Sequence, residues 1–309
     1  MISQEQLSQR KLGIGSSDAA AILGLSAYKT PYDVWLEKTD RAQSEPAGDA
    51  AWIGNMLESS VLSMASERLG LAVVPAPPFL DSTFCSGVLR ANVDGMVGTF
   101  DFGSPIVEAK TTGQIKNWGD SETDGLPPSV LVQVTHQMIC AKSDLCYVAR
   151  LGASFGLTFD IFPVKIDRSF ADEIQGSLES WWREHIVKDT PPEILSGQAP
   201  SYEMLRNMRR IEGSIAEIPI ELIQNERIAK EKLDESEKEY SQAKSVLLAS
   251  LGSCQVGCGG GVKVTISRVE RRGFDSERFK LDNPELCAQY QKISAYNKVD
   301  IRAIKTAQK

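Results

Sequence analysis

Two short acidic segments constrain the fold of this chain more than any other feature. Asp94 ends one predicted strand, and the tetrapeptide Val107-Glu108-Ala109-Lys110 forms part of the next. Residues i and i+2 of a strand project from the same face of a sheet, so Glu108 and Lys110 are predicted to project together. A hairpin between the two segments places Asp94 beside them. Two carboxylates and an ammonium group on a rigid sheet can hold a divalent cation and a water molecule, which is the minimum for metal-assisted hydrolysis.

Helical and extended patterns alternate around these segments. Apolar periodicity, capping residues and turn signals locate the elements of the first two thirds of the chain. The predicted elements are a short helix over 19–23 capped by Ser16-Ser17-Asp18, helices over 30–38, 49–69, 130–141 and 170–187, and strands over 71–74, 84–89, 91–98, 106–111, 145–151 and 157–164. The last two strands are expected to form a hairpin.

The remainder of the chain has a different sequence pattern. A charged stretch over about 221–251 carries a heptad seam and predicts a long helix that packs on another helix or on itself. A turn over 257–261 and a strand over 262–269 follow, and then a basic end. We therefore predict a domain over 1–200 and a C-terminal extension over 201–309. The extension could hold DNA, dock a partner, brace an oligomer or simply present a solvated face.

Composition excludes several classes of protein. No apolar run reaches the length of a membrane span, and the first residues lack the pattern of a signal peptide, so a cytoplasmic location is expected. Two histidines are too few for a three-histidine zinc site. Six scattered cysteines indicate reduced, structural thiols. The net charge of −7 argues only weakly against a nucleic-acid partner, because residues 263–309 contain eleven Lys/Arg and only six Asp/Glu.

Six motifs, in order, resemble one family. They are Gly13-Ile14-Gly15-Ser16-Ser17-Asp18-Ala19-Ala20, Lys29-Thr30-Pro31-Tyr32-Asp33-Val34-Trp35, Gly54-Asn55-Met56-Leu57-Glu58, Ala91-Asn92-Val93-Asp94-Gly95, Glu108-Ala109-Lys110-Thr111 and Gln133-Val134-Thr135-His136-Gln137-Met138. Over about residues 8–165 the chain resembles the YqaJ-like viral recombinase family, to which phage lambda exonuclease belongs, within the PD-(D/E)xK nucleases. The resemblance implies an α/β fold with a restriction-endonuclease-like core, in which helices flank a central mixed sheet. A mainly helical extension would follow this core.

The resemblance also assigns roles to single residues. Asp94 and Glu108 match the metal ligands, with the carbonyl of Ala109 as a third and Glu58 completing the site. Lys110 matches the lysine that orients the attacking water. Gln133 matches the glutamine that touches that lysine or the water. An all-oxygen ligand set favours Mg²⁺, or Mn²⁺, as the cofactor.

Each of these residues also has a plainer interpretation. Glu58 could be a solvated residue of an amphipathic helix, and Lys110 a surface lysine at the end of a strand. Gln133 and Gln137 share a helical face that could simply be polar. His136 lies between them without a second histidine nearby and is interpreted as structural.

A second candidate site lies near the N-terminus. Ser16 and Ser17 stand at a predicted helix start, where free amides and hydroxyls can bind phosphate, and Arg10 and Lys11 lie just upstream. In the resembled family this region binds the 5′-terminal phosphate of DNA. Asn92 takes the place of a phosphate-contacting serine two positions before Asp94. A simple N-cap is the alternative function of the Ser-Ser-Asp sequence.

The resemblance implies a metal-dependent 5′→3′ exonuclease that acts on linear double-stranded DNA ends in phage-type homologous recombination. It further implies a homo-oligomer, expected to be a trimeric ring, and a single-strand annealing protein as partner. If the chain is phage-encoded, its location is the host cytoplasm. The alternatives are another PD-(D/E)xK endonuclease or exonuclease, and a non-catalytic DNA-binding module.

Overall fold

The computed structural model describes residues 11–42, 48–77, 83–119, 125–154, 156–194, 197–270, 273–274, 276–290 and 301. These residues form two compact units: the first comprises the described residues up to Arg209 together with residue 301, and the second comprises the described residues from Arg210 to Tyr290. In the first unit the elements are β1 (Ile14–Gly15), α1 (Ser16–Ile22), α2 (Pro31–Lys38), α3 (Asp49–Leu69), β2 (Val73–Pro75), β3 (Thr83–Ser86), β4 (Leu89–Asn92), β5 (Gly95–Val97), β6 (Ile106–Thr112), α4 (Pro128–Ala141), β7 (Leu145–Ala153), β8 (Leu157–Lys165), α5 (Arg168–Trp181) and α6 (Tyr202–Asn207). A 3-10 turn covers Ile115–Asn117, and a π-helical segment, Trp182–Val187, continues α5.

The sequence signals for helix ends act largely as expected. Thr30 caps α2, since its hydroxyl accepts the N–H of Asp33, and Pro31 occupies the first turn. Gly70 ends α3 in the left-handed conformation with a φ of 65°. The start of α1 differs from the prediction. Asp18 lies inside the helix and accepts the N–H of Gly15, so Gly15 is the N-cap and the helix begins at Ser16.

A five-stranded mixed sheet forms the centre of the first unit. Its strand order is β2-β5-β6-β7-β8. Only the β6–β7 pair is parallel, and the other three pairs are antiparallel. The predicted hairpin is confirmed, because β7 and β8 pair from Leu145 with Lys165 to Ala153 with Leu157. A smaller sheet, β1-β4-β3, lies beside it and joins the N-terminal segment to the strand that precedes Asp94.

Helices cover both faces of the large sheet. Val61, Leu62 and Ala65 of α3 pack on one face against Val107 and Ala149. The other face contributes to a larger core that includes residues of α1, α4 and α5. Its sheet and helix members include Ile106, Cys146, Val148, Phe162, Ala19, Val134, Met138, Ile174 and Leu178. The predicted fold class, a mixed sheet flanked by helices, is therefore confirmed.

The first unit extends past the predicted end of the first domain. Helix α6 follows residue 200, yet Met204 packs with Trp35 and Leu36 of α2. The backbone N–H of Ser201 also donates to the buried carboxylate of Asp33, at 2.8 Å. The division into domains over 1–200 and 201–309 remains a prediction.

The second unit consists of a long helix, a hairpin and short helices: α7 (Ile220–Leu251), β9 (Val256–Gly259), β10 (Val262–Thr265), α8 (Ser276–Asp282) and α9 (Pro284–Gln289). The predicted long helix is present, but its seam residues Leu233, Tyr240 and Leu247 are exposed rather than covered. Strands β9 and β10 pair antiparallel around Gly260-Gly261, so the turn lies later than predicted. No helix within the described residues has both the length and the apolarity needed to cross a bilayer.

Candidate active site

Strand pairing brings the two acidic segments together. Strand β5 pairs antiparallel with β6, with Gly95 opposite Val107. Asp94 immediately precedes β5, and its Oδ2 accepts the backbone N–H of Ala109 at 2.8 Å. The predicted hairpin therefore places the Asp94 carboxylate against the strand that carries Glu108 and Lys110.

Glu108 and Lys110 project from the same face of β6, toward α4. The Nζ of Lys110 donates to Oε1 of Glu108 at 2.7 Å and to Oε1 of Gln133 at 2.9 Å. The amide of Gln133 donates to the same Glu108 oxygen at 2.6 Å. These three side chains form a closed set of hydrogen bonds that fixes the position of the lysine ammonium.

Gln137 completes the environment of Glu108, although sequence analysis did not include it in the site. Its Nε2 donates to Oε2 of Glu108 at 2.7 Å and to the carbonyl oxygen of Asn92 at 3.2 Å. Its side chain is buried, and Oε1 has no hydrogen-bond partner among the described residues. The signal in the sequence was its position four residues after Gln133, which places both amides on one face of α4.

Three carboxylates shape the electrostatics of this site. Burial and the charge of Glu108 raise the pKa of Asp94 well above its usual value. Burial and the same charge raise the pKa of Glu58, which lies half-buried on α3. Burial acts to lower the pKa of Lys110, but the charge and hydrogen bond of Glu108, together with the charge of Asp94, outweigh it and raise that pKa. The lysine therefore stays protonated beside acids that repel one another.

The donor chemistry of this site fits a hard divalent cation. Asp94, Glu108 and Glu58 offer only oxygen ligands, and a cation between them would relieve the repulsion that raises the pKa values of Asp94 and Glu58. Within the part of the chain that the structure describes, no three acidic, histidine or cysteine side chains are grouped closely enough to enclose a metal ion. Both oxygens of Glu108 instead accept N–H donors from Lys110 and the two glutamines.

The predicted 5′-phosphate residues are only partly brought together. Ser16 and Ser17 form the first turn of α1, where neither hydroxyl serves as an N-cap. Lys11 is exposed and pairs with Asp40 at 2.9 Å. Asn92 accepts a hydrogen bond from Thr83 at 2.9 Å. Arg10 lies outside the described residues.

The N-terminal segment and the acidic cluster share one supporting helix. His136 of α4 is fully buried, and its Nε2 donates to the carbonyl of Ile14 in β1 at 3.1 Å. Gln133 and Gln137 of the same helix hold Glu108. Helix α4 therefore connects the start of α1 to the carboxylates.

The first unit is thus an α/β fold whose central mixed sheet carries an acid and a lysine, Glu108 and Lys110, alternating on one central strand. Residues 5–144 match the family model of the YqaJ-like viral recombinase domain. The family predicted from the six motifs is thus confirmed for this segment by its match to that family model.

One curated relative matches nearly the whole chain. It is the uncharacterized protein YqaJ of Bacillus subtilis strain 168, which is 27% identical over 317 residues, or 98% of this chain and 95% of that protein.

Similar solved structures include an alkaline exonuclease, LHK-Exo, from Laribacter hongkongensis, with a TM-score of 0.49 and 16% identity. A phage-related exonuclease from Haemophilus somnus 129PT has a TM-score of 0.45 and 12% identity. Each match covers 60% of this chain, and they cover 94% and 99% of the respective neighbours.

Proposed function

We propose that this chain is a metal-dependent 5′→3′ exonuclease that degrades linear double-stranded DNA from its ends during phage-type homologous recombination. One observation carries the proposal. Lys110, Glu108 and Gln133 form a closed set of hydrogen bonds directly beside Asp94. The match of residues 5–144 to a viral recombinase domain supports the choice of DNA as the substrate.

Asp94, Glu108, the Ala109 carbonyl and Glu58 are the groups that would hold Mg²⁺, or Mn²⁺. When bound, the cation supplies Lewis acidity toward the phosphodiester and lowers the pKa of water. The carboxylates would hold the cation in position and balance its positive charge. The N–H bond from Ala109 fixes one oxygen of Asp94, which leaves the other oxygen for a ligand.

Lys110 provides a fixed positive charge at the reacting phosphate. Its ammonium stays protonated, because the charge of Glu108 raises its pKa. Gln133 accepts from it at 2.9 Å and thereby limits its rotation. A preoriented cation stabilises the negative charge that develops on the phosphate oxygens, and removing such a donor typically costs about a hundred- to a thousandfold in rate.

End recognition is assigned to the first turn of α1 and its neighbours. The amides and hydroxyls of Ser16 and Ser17, with Arg10, Lys11 and Asn92, would receive the 5′-terminal phosphate. A carboxylate cluster alone cannot distinguish a DNA end from an internal bond, so an exonuclease needs such a feature. By analogy with the family, we include in the proposal a homo-oligomeric ring, expected to be a trimer. A single-strand annealing protein as partner and a cytoplasmic location belong to the same analogy.

The test is an end-specific digestion assay. Linear duplex DNA carrying either a 5′ phosphate or a 5′ hydroxyl is incubated with the protein in Mg²⁺, in Ca²⁺ or in EDTA, beside closed circular DNA. We expect Mg²⁺-dependent loss of linear DNA, faster from 5′-phosphorylated ends. Cleavage of the closed circle would instead support an endonuclease, and binding without loss of any substrate would support a DNA-binding module.

A further inference from the structure

Arg150 of β7 is a buried cation that uses little of its hydrogen-bonding capacity. Its side chain is 7% exposed. One terminal nitrogen, Nη2, donates to the carboxylate of Asp160 on β8. The Nε and Nη1 atoms are buried and have no hydrogen-bond partner among the described residues.

Aromatic packing does not satisfy these donors. The guanidinium lies over the rings of Trp118 and Phe162, with its central carbon 5.2 and 5.1 Å from their centroids. Such contacts stabilise a cation through the ring faces. They offer no acceptor for the N–H groups, which lie in the guanidinium plane. Burying donors without acceptors is costly, so a ligand that supplies acceptors would be strongly favoured.

The position of Arg150 connects it to the proposed active site. In the parallel β6–β7 ladder Arg150 is the partner of Lys110. Residues aligned in this way project from the same face, and neighbouring strands lie about 4.8 Å apart. The face shared by Lys110 and Arg150 therefore carries one cation on each of two adjacent strands, and each cation is paired with one carboxylate, Glu108 for the lysine and Asp160 for the arginine.

The geometry points to a phosphate-binding role for Arg150. It receives a phosphate of the nucleic-acid strand next to the phosphate that faces Lys110. The inference rests on the proposed function of the same active site, and it adds Arg150 to the residues that bind the DNA substrate. A phosphate offers several acceptor oxygens, and the planar guanidinium can bind two of them in parallel, as an ammonium cannot.

Trp118 covers the site in this structure and must move aside for the phosphate to enter. It directly follows the 3-10 turn that packs over Gly152, where a Cβ atom would lie 2.9 Å from the side chain of Ile115. The surrounding positions Gln114, Lys116 and Asn117 are exposed. The cover is thus a surface segment held by the partly buried side chains of Ile115 and Trp118, and the Trp118 ring packs against the core and against Phe162, with the two ring centroids 5.4 Å apart.

The test compares three variants in a binding assay that does not depend on hydrolysis. Arg150→Met keeps the length and packing between the two rings but removes the charge. Arg150→Lys keeps the charge but removes the fork of donors. Arg68→Gln is the matched control. Arg68 of α3 lies over the ring of Phe159, which belongs to β8 as Phe162 does but projects from the opposite face of the sheet. Affinity for 5′-phosphorylated duplex is measured by fluorescence anisotropy in Ca²⁺ and in EDTA, at several salt concentrations.

We expect Arg150→Met to weaken binding by roughly tenfold or more, the size of one charge-assisted contact. The slope of log affinity against log salt should become shallower by about 0.9 on duplex DNA, or about 0.7 if the contacted strand is single. Arg150→Lys should keep the wild-type slope with reduced affinity. Arg68→Gln should match the wild type in both.

A folded Arg150→Met protein with wild-type affinity and slope would overturn the inference and leave Arg150 as a packing residue. If that variant does not fold, Arg150→Lys decides, because unchanged affinity in it has the same meaning. A wild type that digests DNA while Arg150→Met binds normally refutes only this inference. A wild type that binds DNA through Arg150 but digests none refutes the proposed exonuclease and leaves the phosphate contact standing. A wild type that binds no DNA refutes both.

Discussion

At the residue scale, the environment of Glu108 is the most informative feature. Its carboxylate is 3% exposed and accepts N–H bonds from Lys110, Gln133 and Gln137. A buried carboxylate is unfavourable unless such donors surround it. The arrangement explains how a charged group can be held rigidly at the edge of an apolar core.

We predict that Asp94→Ala, Glu108→Ala and Lys110→Ala each reduce DNA digestion by about a hundredfold or more while the protein stays folded. Each change removes a charge that the proposed reaction needs. Digestion of 5′-phosphorylated linear duplex measures the loss, and circular dichroism monitors the fold. Lys165→Ala, an exposed lysine at the end of β8, is the control. Near-normal turnover by Lys110→Ala would refute the proposed mechanism.

Gln137→Leu is predicted to lower the free energy of unfolding by about 1–3 kcal/mol, because it leaves the buried Glu108 oxygen without its donor. Gln133→Leu should cost less stability, since Gln133 is only half-buried and Lys110 still holds the same Glu108 oxygen. Urea denaturation of both variants measures the difference. Equal losses would show that Gln137 does not support Glu108 more than Gln133 does.

At the element scale, α4 connects the parts of the site. It carries the two glutamines that hold Glu108, Gln133 and Gln137, and also the buried His136, which holds β1 through Ile14. Gly13 allows the N-terminal segment to lie close to the start of β4, because a Cβ atom there would lie 2.3 Å from the carbonyl oxygen of Val88. The position of α1 relative to the carboxylates therefore depends on one helix and on one residue without a side chain.

The buried ring of His136 predicts a pH-dependent stability. Burial lowers the pKa of His136 to about 4, although the bond to Ile14 opposes this shift. In the unfolded chain the pKa is about 6.5. The stability from the neutral ring is therefore fully present above about pH 6.5 and is lost as the pH falls toward 4. Between about pH 7.5 and pH 5 the wild type should lose about 2 kcal/mol more unfolding free energy than His136→Gln.

Denaturant unfolding of both proteins at the two pH values measures this difference. Taking the difference cancels the titration of the carboxylates, which both proteins share. Parallel pH dependences in wild type and variant would show that His136 is not the group responsible.

The first turn of α1 predicts end selectivity. Asp18 holds the N–H of Gly15, so the hydroxyls of Ser16 and Ser17 are not used as the cap. Ser16→Ala/Ser17→Ala should slow digestion of 5′-phosphorylated ends by roughly ten- to a hundredfold, as expected for the loss of one charge-assisted contact. Digestion of 5′-hydroxyl ends is the internal control and should change much less. Equal slowing of both ends would place end recognition elsewhere.

At the scale of the whole molecule, the described candidate residues and all three hydrophobic clusters that support them lie within residues 11–209. The last contributions come from α6 and the residues just after it, where Met204 and Met208 pack on the third cluster and the N–H of Arg209 donates to the carbonyl of Arg41 at 2.9 Å. The second unit exposes most of its apolar side chains. The fold of the proposed nuclease is therefore carried by the first unit.

A pair of truncations tests this boundary. A protein ending at Arg209 should unfold at a temperature about 5–15 °C above that of one ending at Pro200. The shorter protein loses the burial of Met204 and the hydrogen bond to Asp33, together worth about 2–4 kcal/mol. Thermal unfolding followed by circular dichroism measures the difference. Equal midpoints would mean that α6 does not stabilise the first unit.

Local sequence signals determined the elements that depend on near neighbours. Thr30 with Pro31 set the start of α2, and Gly70 set the end of α3, because caps and left-handed turns act within a few residues. Strand alternation placed Glu108 and Lys110 on one face, and the motif order identified the family that residues 5–144 match.

Only the tertiary structure decided which distant groups meet. The second bond of Gln137 to the Asn92 carbonyl, the alignment of Arg150 with Lys110 and the attachment of α6 to α2 join residues far apart in the chain. Spacing along a sequence fixes which face a residue occupies, but contacts between elements depend on sheet order and packing, which no local pattern specifies. The sequence therefore determined the chemistry available to this protein, and the fold decided which of those groups act together.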